Sequence, residues 1–309
     1  MKILITGVHG FVGSNLVEYL KGENEIYGLD IVAPDKDGVV KTFSWDDLDA
    51  GLVPAMDAII HLAGKAHDTK NKSAAEVYFK VNTGLTQKIY DYFLASSTSK
   101  FIFFSTAKAA ADRVEGVLTE EVVPAPVGPY GESKIKAEEY VLSKELPAGK
   151  QVYIFRPCMI HGPGNKGNLN LLYSVVRKGI PWPLGAFENR RTFTSVENIC
   201  FAVNGVLTKD VPSGIYNMGD DEALSTNELI EEICKSLGKK AHIWRLPKGF
   251  MTGIAKVGGW LHLPLNPDRL QKLTENYVSS NAKIKAALGV EKMPVDAREG
   301  LKITLESFK

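Results

Sequence analysis

Up to about residue 160, short uninterrupted apolar runs alternate with longer stretches whose apolar positions recur every three or four residues. The runs at Ile3–Thr6, Ile26–Asp30, Ala58–Leu62, Phe101–Ser105, Val152–Arg156 and Ile215–Asn217 read as strands. The periodic stretches predict helices over Phe11–Lys21, Ala74–Ala95, Glu132–Leu146, Asn168–Lys178, Val196–Leu207 and Thr226–Leu237. A strand that is apolar on both faces needs cover on both sides. The alternation therefore means an α/β chain built on a doubly wound parallel sheet between helical layers. Beyond residue 160 the order loosens, punctuated by Gly162, Pro163, Gly164 and Gly167, then by Pro181 and Pro183. The simplest organisation is a large sheet domain over residues 1–165, to which 191–222 return, and a smaller C-terminal substrate domain of 166–190 and 223–309. No internal repeat or low-complexity tract interrupts it.

The first strand stops at Thr6, and Gly7, Gly10 and Gly13 follow as the amphipathic run Phe11, Val12, Leu16, Val17, Leu20 begins. Strand, glycine turn and helix in that order bring free backbone N–H groups and the positive end of a helix dipole to one point, where a pyrophosphate is held. This makes the sheet domain a Rossmann-type, dinucleotide-binding one, with GxxGxxG in place of the commoner GxGxxG. Asp30 ends the second predicted strand. A carboxylate there accepts from both hydroxyls of an adenosine ribose and repels a 2′-phosphate, which favours NAD over NADP. Asp57, just before the strand at Ala58–Leu62, is a further candidate, for the adenine amino group. Ala63 and Gly64 then supply small residues where the backbone passes close to a ligand, while the neighbouring His61 reads as a structural histidine.

Composition narrows the partners. With 44% hydrophobic and 24% charged residues and a formal net charge of +1, the chain has nothing that draws it as a whole to nucleic acid. Cys158, Cys200 and Cys234 are scattered and odd in number, without metal-ligand spacing, so they read as reduced thiols packed as small hydrophobes, and no metal site is expected. A strand that starts at the initiator Met leaves no room for a signal peptide, and a cytoplasmic protein is expected. The most apolar later stretch, Phe250–Leu265, is broken by Lys256, Gly258, Gly259, His262 and Pro264. It is too short to be an integral membrane segment and reads as a packed helix and turn.

Ligands in such sheets bind at the carboxyl ends of the strands. There the run at Phe101–Ser105 delivers two hydroxyls, Ser105 and Thr106. Downstream, Pro129-Tyr130-Gly131-Glu132-Ser133-Lys134 opens a helix, so Tyr130 and Lys134 share one face a turn apart. A phenol with a pKa of about 10 is a poor base at neutral pH. A neighbouring ammonium and a positively charged nicotinamide ring both lower that value. Tyr130 then exchanges a proton with a sugar hydroxyl while hydride passes to or from the nicotinamide, and Thr106 holds the same oxygen. A second Tyr-x-x-x-Lys, Tyr140 and Lys144, falls mid-helix and reads as packing or solvent-facing.

Together these pieces resemble the extended short-chain dehydrogenase/reductases, and within them the NAD-dependent nucleotide-sugar epimerases and dehydratases. The likeness includes Thr6-Gly7-x-x-Gly10-x-x-Gly13, Asp30, Asp57 through Ala63, Val81-Asn82, Ser105-Thr106 and Pro129-Tyr130-Gly131-x-Ser133-Lys134. It continues through Arg156-Pro157, Gly162-Pro163-Gly164, Arg191 to Val196, Tyr216-Asn217-x-Gly219 and Leu224-Ser225-x-x-Glu228-Leu229. The resemblance implies NAD as cofactor, with Phe11 and Val12 giving backbone contacts to its pyrophosphate and Ala63, Asn82, Ser105 and Lys134 lying along it. It implies Thr106, Tyr130 and Lys134 as the catalytic set, and Asn168 and Arg191 as contacts to the diphosphate of a UDP-sugar. Family members are often homodimers through two long helices, here Ala74–Ala95 and Glu132–Leu146.

Two departures narrow the chemistry. The 4,6-dehydratases carry an Asp-Glu pair after the catalytic Thr, where this chain has Ala107 and Lys108, followed by Ala109-Ala110-Ala111. Alanine cannot move a proton, so dehydration is disfavoured. Met159 stands where many members place an Asn near the sugar nucleotide. The activity expected is that of a UDP-sugar 4-epimerase in polysaccharide biosynthesis. The alternatives are a NAD(P)H-dependent 4-reductase of a UDP-4-keto-6-deoxy-N-acetylhexosamine and, from another class, a non-catalytic NAD-sensing protein.

Overall fold

Ile3 and Ile5 enter one hydrophobic core and Leu4, between them, enters another; Ile102 and Phe104 likewise part from Phe101 and Phe103. Both faces of the strands are therefore covered, as their uninterrupted apolar runs require. The computed structural model of the chain describes residues 1–66, 74–165, 167–261 and 265–309. Its first elements are β1 (Lys2–Thr6), α1 (Phe11–Leu20), β2 (Glu25–Leu29), β3 (Val39–Phe43), α2 (Trp45–Asp49) and β4 (Ala58–His61). There follow α3 (Ala75–Tyr78), a π-helical stretch (Phe79–Gly84), α4 (Leu85–Ala95), β5 (Lys100–Phe104), α5 (Ala107–Ala110), β6 (Val117–Leu118), α6 (Pro129–Ser143) and β7 (Gln151–Pro157). The remainder comprises β8 (Met159–His161), α7 (Asn168–Arg177), β9 (Phe193–Ser195), α8 (Val196–Thr208), β10 (Gly214–Met218) and α9 (Thr226–Ser236). It ends with α10 (Lys248–Trp260), α11 (Pro267–Thr274), β11 (Val278–Ser279), α12 (Ala282–Leu288) and α13 (Ala297–Glu306).

Seven strands pair in parallel in the order β3-β2-β1-β4-β5-β7-β10. The chain winds outward from β1 to β3 and then returns past β1 to β4, so a ligand crevice opens at the carboxyl ends of β1 and β4. Leu16 and Val17 of α1, Ile199 and Val203 of α8, and Ile284 and Leu288 of α12 pack on one face. Ile89 and Phe93 of α4 with Ala137 and Val141 of α6 cover the other. A separate core joins α7, α9, α10, α11 and α13 through Leu169, Ile230, Met251, Leu270 and Leu301.

The strand β3 was not apparent in the sequence because it is an edge strand whose Lys41 faces solvent, which breaks the apolar run. The helix predicted over Ala74–Ala95 is interrupted by a π-helical stretch. Helix α10 supplies the helix predicted near Phe250; His262 and Pro264 lie outside the described residues. Cys200 and Cys234 are buried free thiols, and Cys158 is half-buried. No helix among the described residues is long and apolar enough to cross a membrane.

Candidate active site

After β1, Gly7 takes a left-handed backbone (φ +70°), which glycine accepts without strain. The chain then enters α1 at Gly10, whose missing side chain provides no cap, and no acid lies in the first turn. The amides of that turn stay available to an anion. A Cβ on Gly13 would lie 2.5 Å from the Gly7 carbonyl oxygen, so turn and helix meet this closely only with glycine there. Asp30 follows β2 directly beside the turn, its Oδ2 accepting from the His9 amide at 3.2 Å and its Oδ1 from the Ile31 amide at 2.8 Å. An anion cradle with a fixed carboxylate beside it fits a dinucleotide whose ribose carries hydroxyls. Asn15 donates to the carbonyls of Phe11 (2.9 Å) and Pro163 (3.0 Å), which pins the Gly162–Gly164 loop over the helix start.

The end of β4 is tied to this turn by a run of hydroxyls. Thr6 Oγ1 accepts from the amides of Leu62 (3.2 Å) and Ala63 (3.0 Å), which leaves its proton for His61 Nδ1 at 2.7 Å. Thr86 donates to the Asn82 carbonyl at 2.6 Å and so accepts from His61 Nε2 at 2.9 Å. His61 is therefore neutral with both nitrogens satisfied, and burial, with Lys134 adding to it, holds its pKa well below the usual histidine value. Asn82, in the π-helical stretch, bonds both the N–H (2.7 Å) and the carbonyl (3.1 Å) of Lys65 and donates to Ser133 Oγ at 2.9 Å. Ser133 in turn donates to the Tyr130 carbonyl at 2.8 Å.

Pro129 opens α6, where a missing N–H costs nothing. Tyr130 and Lys134 follow on one face. The buried Tyr130 hydroxyl faces Thr106, and its ring meets the edge of Tyr78 at 6.4 Å between centroids. Lys134 Nζ donates to the Phe104 carbonyl at 2.8 Å and sits 4.9 Å from the centre of the Phe103 ring. Burial drags the Lys134 pKa down to about 8, against the opposing pull of Glu138. Behind it, the fully buried Glu138 binds Arg156 through Nε (3.0 Å) and Nη2 (2.5 Å) and also accepts from Ser105.

The model of the NAD dependent epimerase/dehydratase family matches residues 3–219. The chain belongs to that family. It is 31% identical to a UDP-glucose 4-epimerase of Vibrio cholerae over 99% of this chain and 95% of that protein. It is 28% identical to an N-acetyl-alpha-D-glucosaminyl-diphospho-ditrans,octacis-undecaprenol 4-epimerase of Escherichia coli O157:H7, over 92% of this chain and 84% of the other. In fold it is similar to MoeE5, solved with UDP-glucuronic acid and NAD, at a TM-score of 0.78 and 20% identity over 100% of this chain and 99% of that one. NAD is the cofactor of the family.

Against that family pattern, Gly7, Gly10, Phe11, Val12, Gly13, Asp30, Ala63, Asn82, Thr106, Tyr130 and Lys134 form one continuous strip. A Cβ on Gly7 would lie 3.1 Å from the Ala63 nitrogen, and one on Gly64 would lie 3.1 Å from Asn82 Oδ1 and 3.2 Å from Lys134 Nζ. Three expectations need correction. Asp57 precedes β4 at the amino edge of the sheet, where its Oδ2 accepts from the Lys2 amide at 2.7 Å, so it cannot meet an adenine at the carboxyl edge. The Ser105 hydroxyl turns inward to Glu138 and not toward the cleft. Burial raises the Tyr130 pKa, with the Thr106 side chain opposing and Tyr78 adding to the rise; Lys134 does not lower it in the protein alone.

Tyr140 donates to Asp91 at 2.6 Å on the surface, far from a catalytic role. Arg191 donates to the Lys272 carbonyl at 2.6 Å and acts electrostatically on Cys158 and Tyr277, whereas Arg190 is exposed and paired with Glu228 at 3.2 Å. Asn168 is the exposed first residue of α7, whose start is capped by Asn170 accepting from the Gly167 amide at 3.1 Å. Two aromatic residues went unread in the sequence. Tyr78 sits one turn before Asn82, a spacing that carries a signal. Tyr277 donates to the Ala111 carbonyl at 2.8 Å and lies under Lys108, a long-range contact with no local signature. Lys108 itself is paired with Asp112 at 2.6 Å.

Proposed function

We propose that this chain inverts the configuration at C4 of a UDP-linked hexose. The observation that carries the reading is the Thr106–Tyr130 hydroxyl pair beside Lys134 with no free carboxylate on the turn that follows. Ala107 cannot move a proton, and the neighbouring Asp112 is tied to Lys108. Such a pair exchanges the proton of a carbinol and lacks the acid that would expel water. The C4 position and the UDP group are supported by the Vibrio cholerae relative, which aligns over nearly the whole chain.

In this reading the first-turn amides of α1 hold the cofactor's pyrophosphate, Asp30 its adenosine ribose, and Lys134 its second ribose. Bound NAD supplies a hydride acceptor and donor and a positive charge beside the phenol. Tyr130 takes the proton of the C4 hydroxyl and later returns it, while Thr106 keeps that oxygen within reach. Arg191 and Asn168 receive the diphosphate, and the keto sugar turns its other face before the proton is returned. Mass spectrometry of the copurifying cofactor, followed by incubation with a panel of UDP-sugars, tests the proposal. Retained NAD with inversion at C4 supports it. An empty protein that consumes added NADH or NADPH with a 4-keto UDP-sugar overturns it in favour of the reductase.

A further inference from the structure

The coil from Asp30 to Gly38 joins the end of β2 to the start of β3 and runs along the side of α1. Its far end is fixed. Gly38 takes a left-handed backbone (φ +78°) against Lys21 and Val17, and Asp37 is held by Lys21 at 2.7 Å. From there the half-buried Lys36 reaches back toward the start of the helix, where its Nζ donates to Ser14 Oγ at 2.7 Å. The Ser14 amide, bonded to the Gly10 carbonyl at 2.9 Å, closes the first turn. Side chains on a helix lean toward its N-terminus, so the ammonium lies beside the turn whose amides face an anion.

An ammonium is out of place there, because the start of a helix carries the positive end of its dipole. No acid in the first turn offsets it. Glu18 of α1 and Asp37 of the coil are both given to Lys21, at 2.9 and 2.7 Å. Lys36 itself makes no ion pair among the described residues, and its hydrogen bond goes to a neutral hydroxyl. Two positive groups that face one gap are stable together once an anion lies between them. Asp30 heads the same coil and is assigned to the adenosine ribose, so the anion on this side is the phosphate attached to that ribose.

We propose that Lys36 clamps the adenosine-side phosphate of NAD against the first turn of α1 and so keeps the cofactor in the protein between turnovers. The inference rests on NAD being the cofactor and not on the reaction proposed above. The rival ligand for such a cation is the 2′-phosphate of NADP, which the Asp30 carboxylate repels. Titration of the cofactor-free full chain with NAD, with NADP and with adenosine as a competitor tests it, alongside the NAD content of the purified protein. Lys36→Met should weaken NAD binding by roughly tenfold and lower the NAD that copurifies, with adenosine affinity and thermal midpoint kept. Its NAD affinity should also depend less on salt, because one screened charge pair is gone. Lys36→Arg keeps the charge and should restore most of the affinity. NAD binding by Lys36→Met equal to that of the parent overturns the proposal. So does an equal loss for adenosine, which makes the coil a wall for the nucleoside alone. A loss confined to NADP overturns it too, by assigning the cation to the 2′-phosphate.

Discussion

At Tyr130 and Lys134 burial works against both ions, raising the phenol and lowering the ammonium to about 8. Tyr130→Phe removes a hydroxyl whose protein partner is Thr106, and leaves the ring packed against Tyr78. Turnover should fall about 10²–10⁴-fold while bound cofactor and thermal midpoint stay as they are. Undiminished turnover would refute the role of Tyr130. Lys134 gives the pH dependence its sign. The ammonium is present below its pKa and lost above it, so kcat/KM should decline as pH rises through about 8. Lys134→Arg keeps its charge, and any activity it retains should show that decline at higher pH. The Tyr130–Lys134 pair was legible because both residues lie on one helical turn. Thr106 was legible from its place at the carboxyl end of a strand, where ligands bind, although its approach to Tyr130 is made by tertiary packing that no local spacing shows. Asp57 misled because a residue before a strand faces the opposite edge from one after it.

Among the elements, the π-helical stretch is the part that periodicity concealed. One extra residue in a turn leaves the apolar spacing on either side intact, yet it aims Asn82 at Lys65 and Ser133. Asn82→Ala leaves those groups without partners and should cost roughly 1–3 kcal/mol in chemical denaturation. It should also slow turnover, because Ser133 supports the Tyr130 backbone. Helix α6 is joined to β7 by the Glu138–Arg156 pair, at 0% and 2% exposure. Arg156→Met strands a buried carboxylate, and a loss of about 3–5 kcal/mol is expected from denaturant unfolding. A loss below 1 kcal/mol would show that Glu138 finds a proton or another partner.

Across the whole molecule, the parallel sheet was the legible part, because strands covered on both faces announce themselves as unbroken apolar runs. The segments beyond β8 were less so, because they are held by distant polar ties that leave no periodic trace. Asp220 accepts from the Ser195 amide (2.9 Å) and Asn198 (2.8 Å), and the Arg191 segment bridges to both Leu224 and Tyr277. The division of labour proposed above puts the cofactor along the sheet edge and the diphosphate toward Arg191. The central claim is hydride removal and return at one carbon. Incubating the purified protein with a UDP-hexose deuterated at C4, and reading that carbon by NMR, addresses it most directly. A 4-epimerase yields the inverted C4 configuration with the deuterium still attached. Deuterium lost to solvent, or an unchanged configuration across the UDP-hexoses offered, would contradict the assignment.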